Sequence, residues 1–468
     1  MRFTVTVTAI LAVFFSACTP VWEVSARRIQ SENSQRALVT EGTARMQGPP
    51  TSSALVNDDH QQDRAPTDLD GLVLFGLDRN PAVQAKSIAV DRMTHRVDAT
   101  GSLPAPKIQV APFGDMAQTA AGEVALMAGV SQQFPAPGLL SAQVARARAD
   151  VRTAEAAWHA EQVKIAAEIR KAWWSWRAAT RSHSIVDEQI SLLSQLQQQV
   201  LQRLEVGGGK QSDVLRIGVE IDRLRTMQMA WNERAQTSMA NLRQALSLPQ
   251  EEPLPDIHNK LPSQNRYRED QLLPLARQYR ADVLGNLANR QRADALRNMA
   301  VARHRPEFGL SFNYNMVDDR NLMGPTSGQD QWWVGASMSL PIWFDSYGAS
   351  DREAEAARDE VASERLAISD TLKRDVRTAL SGWESAHEQL ALFRGGMIEQ
   401  AKQAYQAETS NYMAGTSSFA DIIQSAQQLL MLEMSIVRLT RDAGVAEARI
   451  LQSAGVISSA IQQLRELE

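Results

Sequence analysis

The residue types that could do chemistry are few in this chain, and their spacing argues against catalysis. The seven histidines are scattered, and His387-Glu388 lacks the second histidine that a zinc-protease helix would carry. Gly209-Lys210 is not a phosphate-binding loop, because no glycine stands at the required earlier position and no serine or threonine follows the lysine. No spacing of ligands indicates a metal site, and no nucleophile stands with a base. We therefore expect neither an enzyme nor a cofactor.

Cys18 is the single cysteine of the chain, so an intrachain disulfide is excluded. It ends an apolar run over residues 5–17 that has the length of a signal peptide and is too short for a membrane span. The small residues before Cys18 resemble a bacterial lipobox, so we predict a signal peptide over residues 1–17 and lipidation of Cys18. Cleavage after Ala26 is the alternative. Thr19 in place of aspartate fits sorting to the outer membrane by analogy with known lipoproteins.

Two aspartates follow glycine turns at equivalent places in the chain. Asp213 follows Gly207, Gly208 and Gly209, and Asp421 follows Gly415. An aspartate beside a glycine turn favours N-capping of the next helix. The sequence therefore predicts two helix–turn–helix hairpins, in which capping is the simplest role for both carboxylates.

Long helices must position these turns. From about Ser141 to Val206 the chain lacks proline and glycine, which predicts a helix of roughly 65 residues, on the order of 100 Å long. A second helix restarts at Asp213 and lasts to about Leu248. In the second half, a helix from about residue 350 to 413 has weak points at Gly382 and Gly395-Gly396, and another restarts near Asp421 and ends near Ala454. Helices this long need long partners, so we expect a coiled-coil-like array.

Clustered tryptophans mark the first long helix. Trp158, Trp173, Trp174 and Trp176 lie within it, and Trp383 repeats Trp176 in the second half. We interpret them as packing anchors between helices, because large aromatic side chains bury much apolar area.

The stretch from Pro306 to Pro341 alternates strictly between apolar and small or polar residues in two arms. This period of two predicts strands with one apolar face. The intervening positions are glycine, serine, asparagine and Trp333. Each arm is long enough to cross a bilayer as a tilted strand, and the pattern is typical of a membrane barrel. A soluble hairpin that rests on a helix is the alternative interpretation.

The alternating stretch occurs twice. Pro106-Lys-Ile108-Gln-Val110 stands 200 residues before Pro306-Glu-Phe308-Gly-Leu310, and Gly207 with Asp213 stands 208 residues before Gly415 with Asp421. A collinear series with slowly drifting offsets indicates a tandem duplication, with a period too long for a solenoid repeat. Two hairpins supply four strands, whereas about eight are needed to close a barrel. Strands in a membrane would therefore require oligomerisation, because open edges in lipid are costly.

Composition narrows the class of partner. The net charge of −5 comes without a polybasic stretch, so nothing indicates nucleic acid. Beyond the predicted signal there is no apolar run of 18 residues, so any contact with a membrane must be made through strands.

The sequence predicts six consecutive segments. They are a signal peptide 1–17, a lipidated polar linker 18–67, a first repeat 68–248 with a hairpin at about 106–135, a proline-rich joint 249–264, a second repeat 265–456 with a hairpin at about 306–341, and a tail 457–468.

From about Asp68 to Ala454 the chain resembles the TolC-like outer-membrane efflux proteins. The resemblance rests on short motifs that are weak singly but specific in order and in duplicate: Gln132-Gln-Phe-Pro-Ala-Pro-Gly138, Gly207 to Leu215, Ser339-Leu-Pro-Ile-Trp-Phe-Asp345, Tyr412-Met-Ala-Gly415, and Phe419-Ala-Asp421-Ile-Ile. It implies a mainly α fold with a small membrane β part, in which a homotrimer closes one twelve-stranded barrel above a long helical tunnel. It also implies a passive exit duct in the outer membrane of a Gram-negative bacterium, working with a periplasmic adaptor and an inner-membrane pump.

The resemblance assigns the two turns to the periplasmic tip, where the tunnel narrows. It places Gly207, Gly208, Gly209 and Gly415 in the turns themselves. In a trimer, Asp213 and Asp421 would form rings of carboxylates able to attract cations, although such like charges repel unless they are paired or screened. N-capping of the following helix stays the alternative role for Asp213 and Asp421. Phe419 is either an apolar constriction or ordinary packing.

Three functional hypotheses follow. The first is an efflux duct that works with a resistance-nodulation-division pump, and the second is the same duct in a type I protein secretion system. The third is a periplasmic helical scaffold without a pore, against which the duplicated alternating hairpins argue. Two stretches, Phe134 to Gly138 and Leu340 to Asp345, resemble the CzcC-like heavy-metal branch more than the drug-efflux members, although histidine- or methionine-rich clusters are absent. The sequence does not name the substrate, because the pump selects it.

Overall fold

The computed structural model describes residues 66–112, 118–119, 122–249, 251–254, 266–318 and 328–458. All described residues belong to one unit, and residues 1–65 lie outside the description. The described helices are α1 (Leu69–Arg79), α2 (Pro81–Thr100), α3 (Leu139–Glu205), α4 (Gln211–Ala245), α5 (Glu269–Tyr279), α6 (Ala281–Arg303), α7 (Phe344–Arg394), α8 (Met397–Ala414) and α9 (Phe419–Ala454). The described strands are β1 (Lys107–Pro112), β2 (Gln118–Thr119), β3 (Gly122–Phe134), β4 (Phe308–Asp318) and β5 (Gln331–Met338).

The helix boundaries follow from local sequence signals. The Asn80 side chain accepts hydrogen bonds from the backbone N–H groups of Ala82 and Val83, and Pro81 occupies the first helical position. Asn80 and Pro81 therefore separate α1 from α2. The long helix α3 spans 67 residues, close to the predicted length.

The second long helix differs from the expectation at one point. Gly395-Gly396 separates α7 from α8, whereas Gly382 lies within α7 without a break. Gly396 has φ 113°, a left-handed conformation that ends helical hydrogen bonding and suits glycine. Gly382 keeps helical geometry, so its missing side chain costs some helix propensity without ending the helix.

The strands form one antiparallel sheet in the order β1-β3-β4-β5, and the two-residue strand β2 also pairs with β3. Phe308 lies opposite Met338, and Phe312 lies opposite Val334 and Val130, so apolar residues of neighbouring strands share one face. Large apolar side chains on this face are exposed, among them Ile108 (78%) and Val334 (67%). The alternation read from the sequence is thus confirmed, and both hairpins belong to one sheet.

The helices form two layers below the sheet. Next to the strands, packing follows the order α2, α3, α6, α7. Farther away, the order is α4, α3, α9, α8, so α3 runs through both layers. In each layer and in the sheet, elements of the first repeat form one half and elements of the second repeat form the other.

Two short helices brace the wall at equivalent places. Leu72 and Leu77 of α1 pack in one buried cluster with Ile169 and Trp173 of α3. In the second repeat, α5 packs with α7 and α9 in a cluster that includes Leu272, Val376 and Ile450. This correspondence agrees with the predicted duplication, because each repeat builds its own core in the same way.

The end of α9 is held by a buried histidine. His159 Nε2 lies 2.9 Å from the carbonyl oxygen of Tyr279 and 3.0 Å from that of Gly455, so Nε2 carries the proton and donates to both. Burial lowers the pKa of His159, and the two carbonyls oppose that change only in part.

We expect the free energy of unfolding to fall as the pH drops below about 6.5, the ordinary pKa of histidine, because the unfolded chain then binds a proton that the folded chain resists. His159→Gln keeps an N–H donor but cannot titrate, so its stability should change less between pH 7.5 and 5.5. Thermal midpoints of both proteins at the two pH values test this. An equal change of the thermal midpoint with pH in the two proteins would contradict this prediction.

No helix among the described residues is both long and apolar enough to cross a membrane.

Candidate functional site at the tips of the helical hairpins

Both helical hairpins end in the same backbone motif. Gly207 has φ 78° and Gly415 has φ 80°, conformations that disfavour any residue with a side chain. The N–H of Gly208 donates to the carbonyl of Arg203 at 3.0 Å, and the N–H of Thr416 donates to that of Asn411 at 2.9 Å. These are Schellman-type ends, which satisfy the last carbonyls of each helix and reverse the chain sharply.

Tyr412, in the last turn of α8, joins the two hairpins. Its hydroxyl donates a hydrogen bond of 3.0 Å to Asp213 Oδ2 at the start of α4. The guanidinium of Arg203, at the end of α3, donates to the carbonyl oxygen of Tyr412 and stands 4.9 Å from the centre of its ring. The first hairpin therefore holds Tyr412 through one carboxylate and one cation.

The chemistry of this contact favours a neutral phenol. Burial raises the pKa of Tyr412, and so do the hydrogen bond to Asp213 and the charge of that carboxylate, whereas Arg203 lowers it. Asp213 is buried at 7% exposure, so the phenol O–H and the Ser212 hydroxyl at 3.3 Å replace water around its carboxylate.

The capping interpretation is wrong for Asp213. The helix α4 begins at Gln211, two residues earlier than expected, and Lys210 occupies the N-cap position without a side-chain hydrogen bond. A capping box needs a serine or threonine at the N-cap, and lysine cannot supply that acceptor. The carboxylate of Asp213 is instead engaged by Tyr412 of the other hairpin.

Asp421 has the capping role that Asp213 lacks. Ser418 is the N-cap of α9, and Asp421 Oδ2 accepts hydrogen bonds from the Ser418 N–H at 3.1 Å and from its hydroxyl at 2.7 Å. Asp421 is exposed. Its part in an aperture stays a prediction.

We expect Ser418→Ala to cost about 1 kcal/mol of stability, because it removes an N-cap side chain. Lys210→Ala is the matched control, since the equivalent position in the first hairpin makes no side-chain cap. Thermal unfolding of the two full-length variants measures the difference. An equal effect of both substitutions would contradict the assignment.

Phe419 packs within the tip. It is 4% exposed and meets the Tyr412 ring edge-on, with centroids 5.7 Å apart. Next to it, α4 and α9 enclose a groove of 570 Å³. Leu215 and Val219 line this groove and are 64% and 71% exposed.

Sequence reasoning missed the connection between the hairpins. Tyr412 stood in a recognised motif, but nothing near it indicated a bond to Asp213, and no sequence feature singled out Arg203.

The predicted lipidation site, Cys18, lies outside the described residues. Within the described ranges, no group of three or more histidine, cysteine, aspartate and glutamate residues could hold a metal ion.

Comparisons with known proteins agree with this architecture. The sequence matches the family model described as outer membrane efflux protein over residues 76–247 and 272–456. No curated protein is significantly similar in sequence.

Solved structures share the fold at low identity. The outer-membrane channel OprN is 20% identical, with a TM-score of 0.68 and coverage of 89% of this chain and 97% of that chain. VceC of Vibrio cholerae, an outer membrane protein, is 17% identical, with a TM-score of 0.65 and coverage of 83% and 96%. The Campylobacter jejuni CmeC outer membrane channel is 14% identical, with a TM-score of 0.67 and coverage of 85% and 88%.

These findings confirm the resemblance to TolC-like proteins and the expectation that the chain is not an enzyme. The family match covers both repeats, and the fold joins one antiparallel sheet to long helical hairpins. The chain belongs to the outer membrane efflux protein family.

Proposed function

We propose that the protein is the outer-membrane exit duct of a tripartite efflux system and passes small solutes passively across the periplasm and the outer membrane. In this proposal three copies close one barrel and one tunnel. An inner-membrane pump supplies the energy, and a periplasmic adaptor joins the pump to the duct. Cys18 anchors the mature chain by lipidation.

The observation that carries the proposal is that the sheet and the helical layer beside it each end in two open edges in the described part of the chain. Among the described elements, β1 and β5 are the edges of the sheet, and α2 and α7 end the helical layer beside it. Unpaired strand edges are costly in lipid, and further copies of the same chain offer the matching edges. The exposed apolar face of the sheet supports a position in lipid.

The tip supports docking of the adaptor. Leu215 and Val219 leave an apolar ridge beside the groove between α4 and α9, at the end of the hairpins opposite to the sheet. A helical partner can bury such residues in a groove. We place the adaptor there.

A susceptibility panel on a strain that lacks the gene tests the function. Sensitivity to dyes, detergents and antibiotics, or to divalent metals, should appear and should be reversed by the wild-type gene. Native mass spectrometry of the purified protein should give the mass of an assembly of three chains. Altered export of polypeptides without any change in sensitivity would favour the type I secretion system instead.

The kind of solute is read from the same panel. Selective sensitivity to metals would support the heavy-metal branch that the sequence resembles. Sensitivity confined to organic compounds would contradict it and leave the duct intact.

A further inference from the structure

The turn that joins β3 to α3 is covered by the second repeat. This turn spans residues 135–138, and Ala136 within it is 3% exposed. The guanidinium of Arg305, which follows α6, donates a hydrogen bond of 2.9 Å to the carbonyl oxygen of Pro137. The link from α6 to β4 therefore closes a joint between the two repeats inside the chain.

The equivalent turn of the second repeat, which joins β5 to α7, lies open. Its Pro341 corresponds to Pro135 of the first turn. The large apolar side chains of segment 340–344 are exposed, at 71% for Trp343 and 75% for Phe344. A patch of exposed apolar side chains of this kind indicates an interaction surface.

The link from α2 to β1 is the counterpart of the link from α6 to β4, and it lies open as well. Segment 103–106, Leu-Pro-Ala-Pro, is exposed at every position. Gln132 Nε2 donates a hydrogen bond of 2.8 Å to the carbonyl oxygen of Pro104, which holds this segment beside the end of β3. The chain therefore carries one uncovered copy of each half of the joint.

The two uncovered segments lie at the same level on opposite edges of the sheet. Met338, the last residue of β5, pairs with Phe308, which pairs in turn with Phe134, the last residue of β3. Segment 340–344 follows β5 directly, and segment 103–106 is held beside the end of β3. A second copy placed edge to edge, with its β1 beside β5, would bring these segments together.

The residues at equivalent positions of the joint are complementary in size. With the two repeats aligned as above, Ala105 stands at the position of Arg305, and Trp343 stands at the position of Pro137. Inside the chain a long side chain reaches a small residue from one side. Between copies a large indole would reach a small residue from the other side, so both joints can be filled.

The helices at the two edges carry complementary charge. α2 contains three basic and two acidic residues, whereas residues 344–370 of α7 contain eight acidic and three basic residues. Charges of opposite sign on two surfaces that meet favour their encounter and fix their orientation.

We propose that segment 340–344 of one copy packs against segment 103–106 of a second copy, so that the joint between the repeats recurs between chains. The inference rests on the proposed function, in which three copies close one barrel, and it names the contact at which they join. Trp343 and Phe344 are its anchors, because aromatic side chains bury a large apolar area.

Photo-cross-linking of the full-length protein in lipid nanodiscs tests the contact. p-Benzoylphenylalanine at position 343 keeps a large aromatic side chain and, on irradiation, should give a product of twice the chain mass. Peptide mass spectrometry should place the cross-link in segment 103–106. Position 310 is the matched control, because Leu310 is 53% exposed at a similar level but belongs to β4, an inner strand. It should give little product of that mass.

A double substitution measures how much the contact stabilises the assembly. Trp343 is the N-cap of α7, a position that serine favours, so Trp343→Ser leaves the helix intact. Combined with Phe344→Ser, it should raise the fraction of single chains severalfold in native mass spectrometry. Leu310→Ser should leave that fraction unchanged.

The assembly of the wild type separates this inference from the proposed function. If the wild type gives only single chains, the proposed duct fails together with the inference. If it gives assemblies of three chains, the inference alone is overturned by cross-linking from position 343 to lipid only, by cross-links that lie outside segment 103–106, or by wild-type assembly of the double variant.

Discussion

Replacing Gly444 with alanine is expected to prevent stable packing of the helical wall. Gly444 of α9 stands against the indole of Trp174 on α3, and an added Cβ atom would lie closer than 3.0 Å to three ring atoms. Trp174 is 3% exposed and meets Trp173 edge-on at 4.6 Å, so the ring has no free space to enter. Overpacking in a filled core costs about 1–3 kcal/mol and sometimes more. We expect Gly444→Ala to lower the free energy of unfolding by an amount within or above that range.

The measurement is the amount of folded protein and its thermal midpoint. Gly382→Ala is the matched control, because Gly382 also lies inside a helix but has nothing within 4 Å of an added Cβ. That variant should be neutral or slightly stabilised, since alanine favours helix by about 1 kcal/mol over glycine. Combining Gly444→Ala with Trp174→Leu should recover part of the loss. Wild-type stability of Gly444→Ala alone would refute the packing argument.

Replacing Tyr412 with phenylalanine is expected to open the tip of the proposed duct. The change removes the 3.0 Å hydrogen bond to Asp213 and leaves a buried carboxylate with one donor fewer. The ring contact with Phe419 at 5.7 Å stays, so packing is largely kept. A hydrogen bond to a charged group is worth about 1.5–3 kcal/mol, and a trimer would lose three of them. This shift favours a conformation in which the two hairpins separate.

Single-channel conductance in planar bilayers and entry of a large hydrophilic antibiotic into cells measure the opening. Both should rise severalfold in Tyr412→Phe and in Asp213→Asn. Tyr405→Phe is the control, because Tyr405 lies on the same helix about two turns before Tyr412 and is also buried, at 7% exposure. Equal effects of Tyr405→Phe and Tyr412→Phe would indicate general loosening and would contradict a specific link.

The sequence by itself determined the elements and their duplication. Alternating residues from Phe308 to Met338 fixed the strands, since a period of two describes one strand whatever its neighbours are. The absence of proline and glycine before Gly207 fixed the length of α3. Asn80-Pro81, Gly207 and Gly415 ended helices through local backbone geometry, which needs no distant partner. The repeated motifs revealed the tandem origin because they keep order and spacing.

Only the tertiary structure decided which side chains act together. Asp213 and Asp421 look alike in sequence, yet the first accepts a bond from a residue 199 positions away and the second caps its own helix. The difference depends on Lys210 and Ser418, which stand at equivalent N-cap positions, and on the place where α8 reaches α4. The need for glycine at position 444 likewise comes from Trp174, a residue on another helix. Contacts between distant segments depend on how the helices pack, which local periodicity does not encode, because the same amphipathic stripe can pack against several partners.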